Sequence, residues 1–370
     1  MGQLHLSVKI FFFFCLFSSL AYGQDPSLSN FHINKNNLNP AYAGYSGDFS
    51  LSMNNRLQWL KLAKFRKFNT YTMSANWGCE EHKIGFAAYA FDNVEGEGFL
   101  RTTNVGGQFA YYIPFSYKAR GTSNRLNNSV FTFGVQAGFS QKRLDWDKLV
   151  FSDQLSTSTY QLVRTSSAVS PKNSMTEGRL DLGTGFRLSS ELGKRKKASA
   201  SMGFAAFHFF TNQESFFTSS NEIKIPTRLN GHLFVNRRFG TARTFKWDLS
   251  LGGIYNWQAG LNTFTIMLYP AYENFLKLGV GYRGKNKLGN EAIIVQLTFW
   301  GKELWEKNDW LFTVGYETSN IQNNPGQHRT GGTLEAGIVI HFDNTILCSK
   351  ADLNCFHPNK LMKRESIWGL

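Results

Sequence analysis

The stretch "NTYTMSANW", Asn69 to Trp77, alternates along its whole length. Tyr71, Met73, Ala75 and Trp77 fall on one side, and Thr70, Thr72, Ser74 and Asn76 on the other. A period of two is the signature of an extended strand whose two faces meet different surroundings. The same pattern returns in "VFTFGVQAGF", where Phe131, Phe133, Val135, Ala137 and Phe139 oppose Thr132, Gly134, Gln136 and Gly138. It returns again in "WDLSLGGIY", with Trp247, Leu249 and Leu251 on one face, and in "LKLGVGYR", with Leu276, Leu278, Val280 and Tyr282 on one face.

Extended along the chain, this reading gives about fourteen strands, near 49–55, 69–77, 83–91, 104–115, 130–139, 179–188, 199–207, 229–236, 246–255, 262–269, 276–283, 291–300, 309–317 and 333–342. Soluble sheets also alternate, so the chemistry of the faces decides. One face carries Leu, Val, Ile, Phe, Tyr and Trp. The other is Gly, Ser, Thr and Ala with scattered charges such as Arg179, Asp181, Arg187, Asp248, Lys277, Arg283 and Glu335. With almost no amphipathic helix to cover them, the apolar faces need a second sheet or lipid. Lipid tolerates no open sheet edge, because an unpaired backbone group there costs several kcal/mol, so a sheet in lipid must close. If the N-terminus is periplasmic, the connections on the outer side total about 110 residues against about 50 on the other, the asymmetry of an outer-membrane barrel. The expected fold is all-β: a transmembrane antiparallel β-barrel with long extracellular loops and short periplasmic turns. An extracellular β-sandwich is the competing reading.

Composition supports an exported chain. Ile10 to Leu20 is an apolar run behind Lys9, followed by small residues at Ala21 and Gly23, which reads as a signal peptide over 1–23 with a mature start near Gln24. Cys15 falls inside that run. No later window reaches the roughly eighteen apolar residues of a spanning helix. Aromatic residues are 15% and charged ones only 18%, below the usual quarter of soluble domains. The formal net charge of +14 would suit nucleic acid in a cytoplasmic protein. For an exported chain it points instead to anionic lipid, an envelope polymer or an acidic protein. The domain reading is then signal peptide 1–23, a periplasmic N-terminal segment 24–48, the barrel 49–342 and a periplasmic tail 343–370.

"QDPSLSNFHINKNNLNPAYAG", Gln24 to Gly44, resembles the N-terminal motif of the PorP/SprF family, outer-membrane proteins of the type IX secretion system. Gln24, Asp25, Pro26, Ser29, Phe31 and the run Asn39 to Gly44 match that pattern. Arg56, Gln58 and Trp59 resemble the family's Arg-x-Gln-Trp. Asp92 and Gly96 resemble its Asp-x-x-x-Gly turn, and "LDWDKLVFSDQ", "IPTRLNGH", "GYR" and "VGYETSNI" follow in order. Glu335 is kept, whereas Leu334 stands where the family usually has His. The resemblance implies a membrane-embedded barrel serving the secretion apparatus. Its implied partners, beside outer-membrane lipid, are the periplasmic ring lipoproteins or a large secreted surface adhesin of the kind used in gliding.

Several residues stand out as candidate contacts. Asn39, Pro40, Ala41, Tyr42 and Gly44 form either a partner-docking plug or a rigid turn, Pro40 removing a donor and extending Asn39. Arg56, Gln58 and Trp59 could touch lipid phosphates or an exported substrate, or be an interfacial Trp with snorkelling bases. Lys194, Arg195, Lys196 and Lys197, with Arg237 and Arg238 in the next periplasmic turn, could dock an acidic partner or be solvated turns. Cys348 and Cys355 read as a disulfide, leaving Cys79 unpaired. No Gly-x-Ser-x-Gly, His-Glu-x-x-His or phosphate loop occurs, so neither catalysis nor a cofactor is expected. A porin or specific solute channel is the other reading of such a barrel.

Overall fold

A computed structural model of the chain describes residues 25–342, apart from 48, 62–67, 80–81, 119–125, 157–160, 164–166, 168–173, 193–197, 210–212, 215, 217–222, 240–246, 273–274, 287–290, 305–307 and 319–329. The candidate disulfide Cys348–Cys355, the basic run Lys194 to Lys197, the signal peptide and the C-terminal tail lie outside the described residues.

Fourteen antiparallel strands close on themselves. In chain order they are β1 (Phe49–Gln58), β2 (Phe68–Cys79), β3 (Ile84–Glu95), β4 (Leu100–Lys118), β5 (Leu126–Arg143), β6 (Arg179–Leu192), β7 (Ala198–Phe207), β10 (Arg228–Phe239), β11 (Trp247–Gln258), β12 (Leu261–Tyr272), β13 (Leu276–Asn286), β14 (Ala292–Leu304), β15 (Asn308–Glu317) and β16 (Thr333–Phe342). Each strand pairs with its neighbour in sequence. Closure comes from β1 against β16, in register from Phe49↔Phe342 to Gln58↔Thr333. No edge is left open, as a sheet surrounded by hydrocarbon requires. A two-stranded ribbon, β8 (Gln213–Glu214) with β9 (Ile223–Lys224), sits in the connection between β7 and β10. Its strands are too short to produce an alternation, so no sequence pattern announces it.

Side-chain direction agrees with the alternation throughout. Leu51 and Met53 are exposed on the outer surface, while Ser50, Ser52, Asn54 and Arg56 of the same strand are buried inside. The apolar set of every quoted segment faces outward and the Gly, Ser, Thr and charged set faces the lumen, as lipid outside and a polar interior demand. Aromatic pairs collect near both ends of the strands. Phe49–Trp77, Phe49–Phe342 and Trp247–Tyr272 sit at the short-turn end, and Trp59–Phe68 at the long-loop end. Such girdles mark the two lipid–water interfaces.

Two expectations about this region need correction. β4 and β5 run several residues past the expected 104–115 and 130–139, because their polar ends still pair in register, for example Arg101↔Arg143 and Tyr117↔Asn127. Cys79, the last residue of β2, is disulfide-bonded rather than unpaired. Its partner lies outside the described residues.

Candidate functional site

The lumen is filled by the chain's own N-terminal segment. From Asp25 to Leu28 the backbone is an extended strap beneath the long-loop end. The chain then descends through a one-turn helix, Lys35–Leu38, and a 3-10 turn, Pro40–Tyr42, to leave at the short-turn end, where β1 starts. This corrects the periplasmic placement expected for 24–48, and with it a partner-facing role for Asn39, Pro40, Ala41, Tyr42 and Gly44. Asn39, Ala41, Tyr42 and Ala43 are each at most 1% exposed. The physical reason is that a barrel of this size leaves a polar lumen that side chains alone do not fill. An Asn-rich segment can pair its backbone with the inward polar face.

The motif is held by close approach. Asn39 extends and its Oδ1 accepts from the Ala41 amide (2.9 Å), capping the short turn that Pro40 starts. Asn39 Nδ2 donates to the backbone carbonyls of Phe186 (3.0 Å) and Phe204 (3.2 Å) on β6 and β7. Opposite the backbone of the motif, four wall positions carry no side chain. A Cβ on Gly134 would meet the Pro40–Ala41 peptide, one on Gly185 the Asn39 amide, one on Gly85 the Ala43 carbonyl and one on Gly78 the Gly44 carbonyl. Tyr112 donates its hydroxyl to Ala43 O. The Tyr42 ring lies under the Arg187 guanidinium at 4.6 Å, and its hydroxyl pairs with His232 Nε2 at 3.1 Å.

Higher in the lumen, the segment is anchored by charge. The Glu335 carboxylate accepts from the backbone amides of Ser29 (2.8 Å) and Asn30 (2.9 Å), from Asn54 Nδ2 (2.9 Å) and from Arg56 Nη1 (3.0 Å). Glu317 accepts from Arg56 Nη2 (3.0 Å), from Arg283 Nη1 (2.9 Å) and from Ser29 Oγ (2.8 Å). Arg283 Nη2 donates to Leu28 O (3.1 Å). Two arginines and two glutamates from four strands, β1, β13, β15 and β16, therefore cancel one another while holding residues 28–30. Charged partners of this kind must be paired when buried, and removing one leaves the others uncompensated. Arg56 is only 4% exposed, so its expected contact with lipid phosphate or substrate is corrected: its position on β1 alternates inward. Gln58 ends the strand. Trp59, with φ +58°, stands at the long-loop rim against Phe68, ring centroids 4.5 Å apart. Arg237 and Arg238 are corrected from turn to strand. They close β10, where Arg238 pairs in register with Asp248 at 3.1 Å and Arg237 lies over the Phe239 ring at 5.1 Å. Leu334 faces outward, so the lumen network does not pass through it.

A second latch holds the strap. His208 Nδ1 pairs with Asp181 Oδ1 (2.7 Å) and its Nε2 with Asp25 Oδ2 (2.9 Å), while Arg228 Nη1 reaches the same Asp25 oxygen at 3.1 Å. Two acceptor-only carboxylates on both ring nitrogens require the doubly protonated ring. Burial works to lower the His208 pKa, but Asp25 and Asp181 outweigh it and raise it from 6.5 to about 9. Burial likewise opposes ionisation of Asp25, and His208 and Arg228 overcome it, holding the carboxyl well below its usual range. A raised histidine contributes stability that is complete below about pH 6.5 and is lost as pH rises through about 9. Amide exchange at residues 25–28 should therefore accelerate between about pH 8 and 10 beyond the ordinary base-catalysed increase. His208→Gln should exchange fast at every pH; a strap whose exchange ignores both changes would contradict the latch.

Sequence reading singled out Arg56 but missed Glu317, Asp25, His208 and Arg228 as a working set. The available signal was single ionisable residues of opposite sign at inward positions of separate strands. Alternation gives their direction but not their height or neighbours.

A family model described as "Type IX secretion system membrane protein PorP/SprF" matches residues 20–338. No curated protein matches the chain. Among solved structures, the chain is similar to the CymD monoaromatic hydrocarbon channel, at 12% identity over 86% of this chain and 92% of that one, TM-score 0.38. It is also similar to the Pseudomonas putida toluene transporter TodX, at 10% identity over 86% and 94%, TM-score 0.35. A third is an anion-selective porin from Comamonas acidovorans, at 11% identity over 80% and 97%, TM-score 0.29.

Proposed function

Starting from the fact that this chain belongs to the PorP/SprF family of type IX secretion system membrane proteins, we propose that it is a non-enzymatic scaffold of that machinery. In this reading it lies in the outer membrane and handles or retains a secreted surface adhesin, as in gliding. The signal peptide 1–23 would deliver it. The short-turn end and the tail 343–370 would meet periplasmic ring lipoproteins, and the long loops would meet cargo. The barrel fixes position in the membrane, and the work is done by surfaces at its two ends.

The observation that supports this over a passive porin is the filled lumen. A diffusion channel has no use for a segment anchored by two buried arginine–glutamate pairs and a motif pressed against bare wall. The 16–18-stranded porins keep an aqueous channel, whereas here about twenty residues of polar backbone occupy the lumen. Deleting the gene should leave growth on minimal medium intact and remove at least one large protein from the cell surface, measured by surface-shaving proteomics. An unchanged surface proteome together with lost uptake of a small solute would favour the channel.

A further inference from the structure

Thirteen of the fourteen pairings in the barrel join consecutive strands; β1 with β16 is the exception. A connection between two strands limits the registers they can adopt. None limits the closing pair, whose strands lie at opposite ends of the barrel sequence. Alternation limits it only in part. A slip of one residue would turn the apolar side chains of one strand inward, but a slip of two keeps both faces in place. Outside, Leu51 and Met53 oppose Ile340 and Ile338, apolar pairs that such a slip would replace with others like them.

The plug touches both closing strands at once. Toward β16, the Ser29 and Asn30 amides donate to Glu335 (2.8 and 2.9 Å). Toward β1, Asn30 Nδ2 donates to Asn54 Oδ1 (3.1 Å), and Ser29 Oγ accepts from Arg56 Nη1 (3.0 Å). The wall residues stand in register, Arg56↔Glu335 and Asn54↔Gly337. Gly337 is bare where the plug is thick: a Cβ there would meet Asn54 Oδ1 at 2.6 Å and Ile33 Cγ2 at 3.0 Å. A two-residue slip would bring Glu335 or Val339 opposite Asn54. It would also carry the Glu335 carboxylate about 7 Å from the amides it serves. The height of the plug is set elsewhere. Asn36 Nδ2 donates to Asn76 on β2 and Gln108 on β4, Asn39 Nδ2 to carbonyls of β6 and β7, and Gln296 Nε2 of β14 donates to Asn30 Oδ1 (2.8 Å).

The geometry points to a second role for the N-terminal segment: it is the template that sets the register in which β16 closes on β1. Held at a fixed height by the other strands, residues 29–33 present Glu335, Asn54 and Gly337 with one matching position. The competing pin is the Arg56–Glu335 ion pair acting alone (3.0 Å). Removing the plug while keeping both residues separates the two. The barrel still closes without it, but in more than one register.

Disulfide trapping reads the register. The full chain is refolded from urea into lauryldimethylamine oxide micelles and oxidised, and peptide mass mapping identifies the bonds. Met53→Cys is combined with Ile338→Cys, its native partner, or with Ala336→Cys or Ile340→Cys, which oppose residue 53 only after a two-residue slip. Unslipped, such diagonal neighbours lie about 7–8 Å apart, beyond the reach of an unstrained disulfide. In the parent only the native pair should bond. With residues 29–47 replaced by a short Gly-Ser linker, a slipped pair should bond too. Its yield should rise at least about tenfold, because two hydrogen bonds to a carboxylate no longer favour the native register. Ser29→Pro with Asn30→Asp removes one amide donor and sets an acceptor-only carboxylate against Asn54 Oδ1. It should shift the yields the same way, and serves if the deletion does not fold. On the β4–β5 hairpin, Val105→Cys should bond Phe139→Cys in every background and Ala137→Cys in none. A slipped seam pair in the parent, or the native pair alone in a variant that keeps the heat-shifted mobility of a folded barrel, would overturn the template.

Discussion

Replacing Glu335 with Ala should unseat the plug while the barrel stays folded. The carboxylate is the shared acceptor for two plug amides, Asn54 and Arg56. Its loss orphans two buried N–H groups and strips Arg56 of one of its two counter-charges. Breaking a buried pair in this way costs about 3–5 kcal/mol, and each orphaned amide adds about 1–3 kcal/mol. The cost falls on the plug because its two backbone amides lose their acceptor, whereas the sheet loses only side-chain contacts, from Asn54 and Arg56. The β15–β16 ladder is built from backbone groups that the substitution leaves alone. Limited proteolysis should then cut within residues 25–47 in the variant and not in the parent. Glu335→Gln should be intermediate: it keeps one acceptor oxygen but presents an NH₂ where donors converge. Equal protease resistance in all three would mean that the network is incidental.

The second large effect concerns the bare wall. Gly134→Leu places a side chain where the Pro40–Ala41 peptide lies, and backbone on both sides cannot yield as a flexible side chain would. Overpacking of this kind costs about 1–3 kcal/mol even in cores that can adjust. Combined with Gly185→Ala, which meets the Asn39 amide, it should exclude the motif from its seat. Gly231→Ala is the matched control, since its added methyl meets nothing within 4 Å. It should leave protease resistance and heat-shifted mobility as in the parent. If the Gly134→Leu, Gly185→Ala pair resists protease like that control, the motif is not held by wall contact.

These effects also explain what could and could not be read from sequence. Strand positions and directions were legible because lipid outside and polar side chains inside impose a period of two that no loop shares, as at Asn69 to Trp77. The aromatic ends were legible for a similar reason: Trp77 and Trp247 occupy depths where an amphipathic ring is favoured. The plug was not. Residues 25–47 carry no period, and Asn30, Asn34, Asn36 and Asn39 read locally as turn formers. Their partners are single residues on distant strands: the Ser29 amide finds Glu335, 306 positions away. The glycines that receive the motif, Gly78, Gly85, Gly134 and Gly185, look in sequence like ordinary small residues of a lumen face. Only the register of the closed sheet brings them to one patch. Arg56 shows the same limit. Its neighbour Trp59 does lie at an interface, and three residues of twist separate a rim position from a buried ion pair. Cys79 was misread because local spacing favoured the late cysteine pair, whereas a disulfide follows three-dimensional proximity.

The claim on which the functional reading depends is that this barrel is closed by its own N-terminal segment. The most direct measurement is single-channel recording in planar bilayers of the parent protein beside a variant lacking residues 29–47, whose leader is joined to β1 through a short Gly-Ser linker. The expected result is no steady conductance from the parent and a stable ohmic pore from the deletion. A parent that conducts steadily, or a folded deletion variant that stays shut, would contradict it.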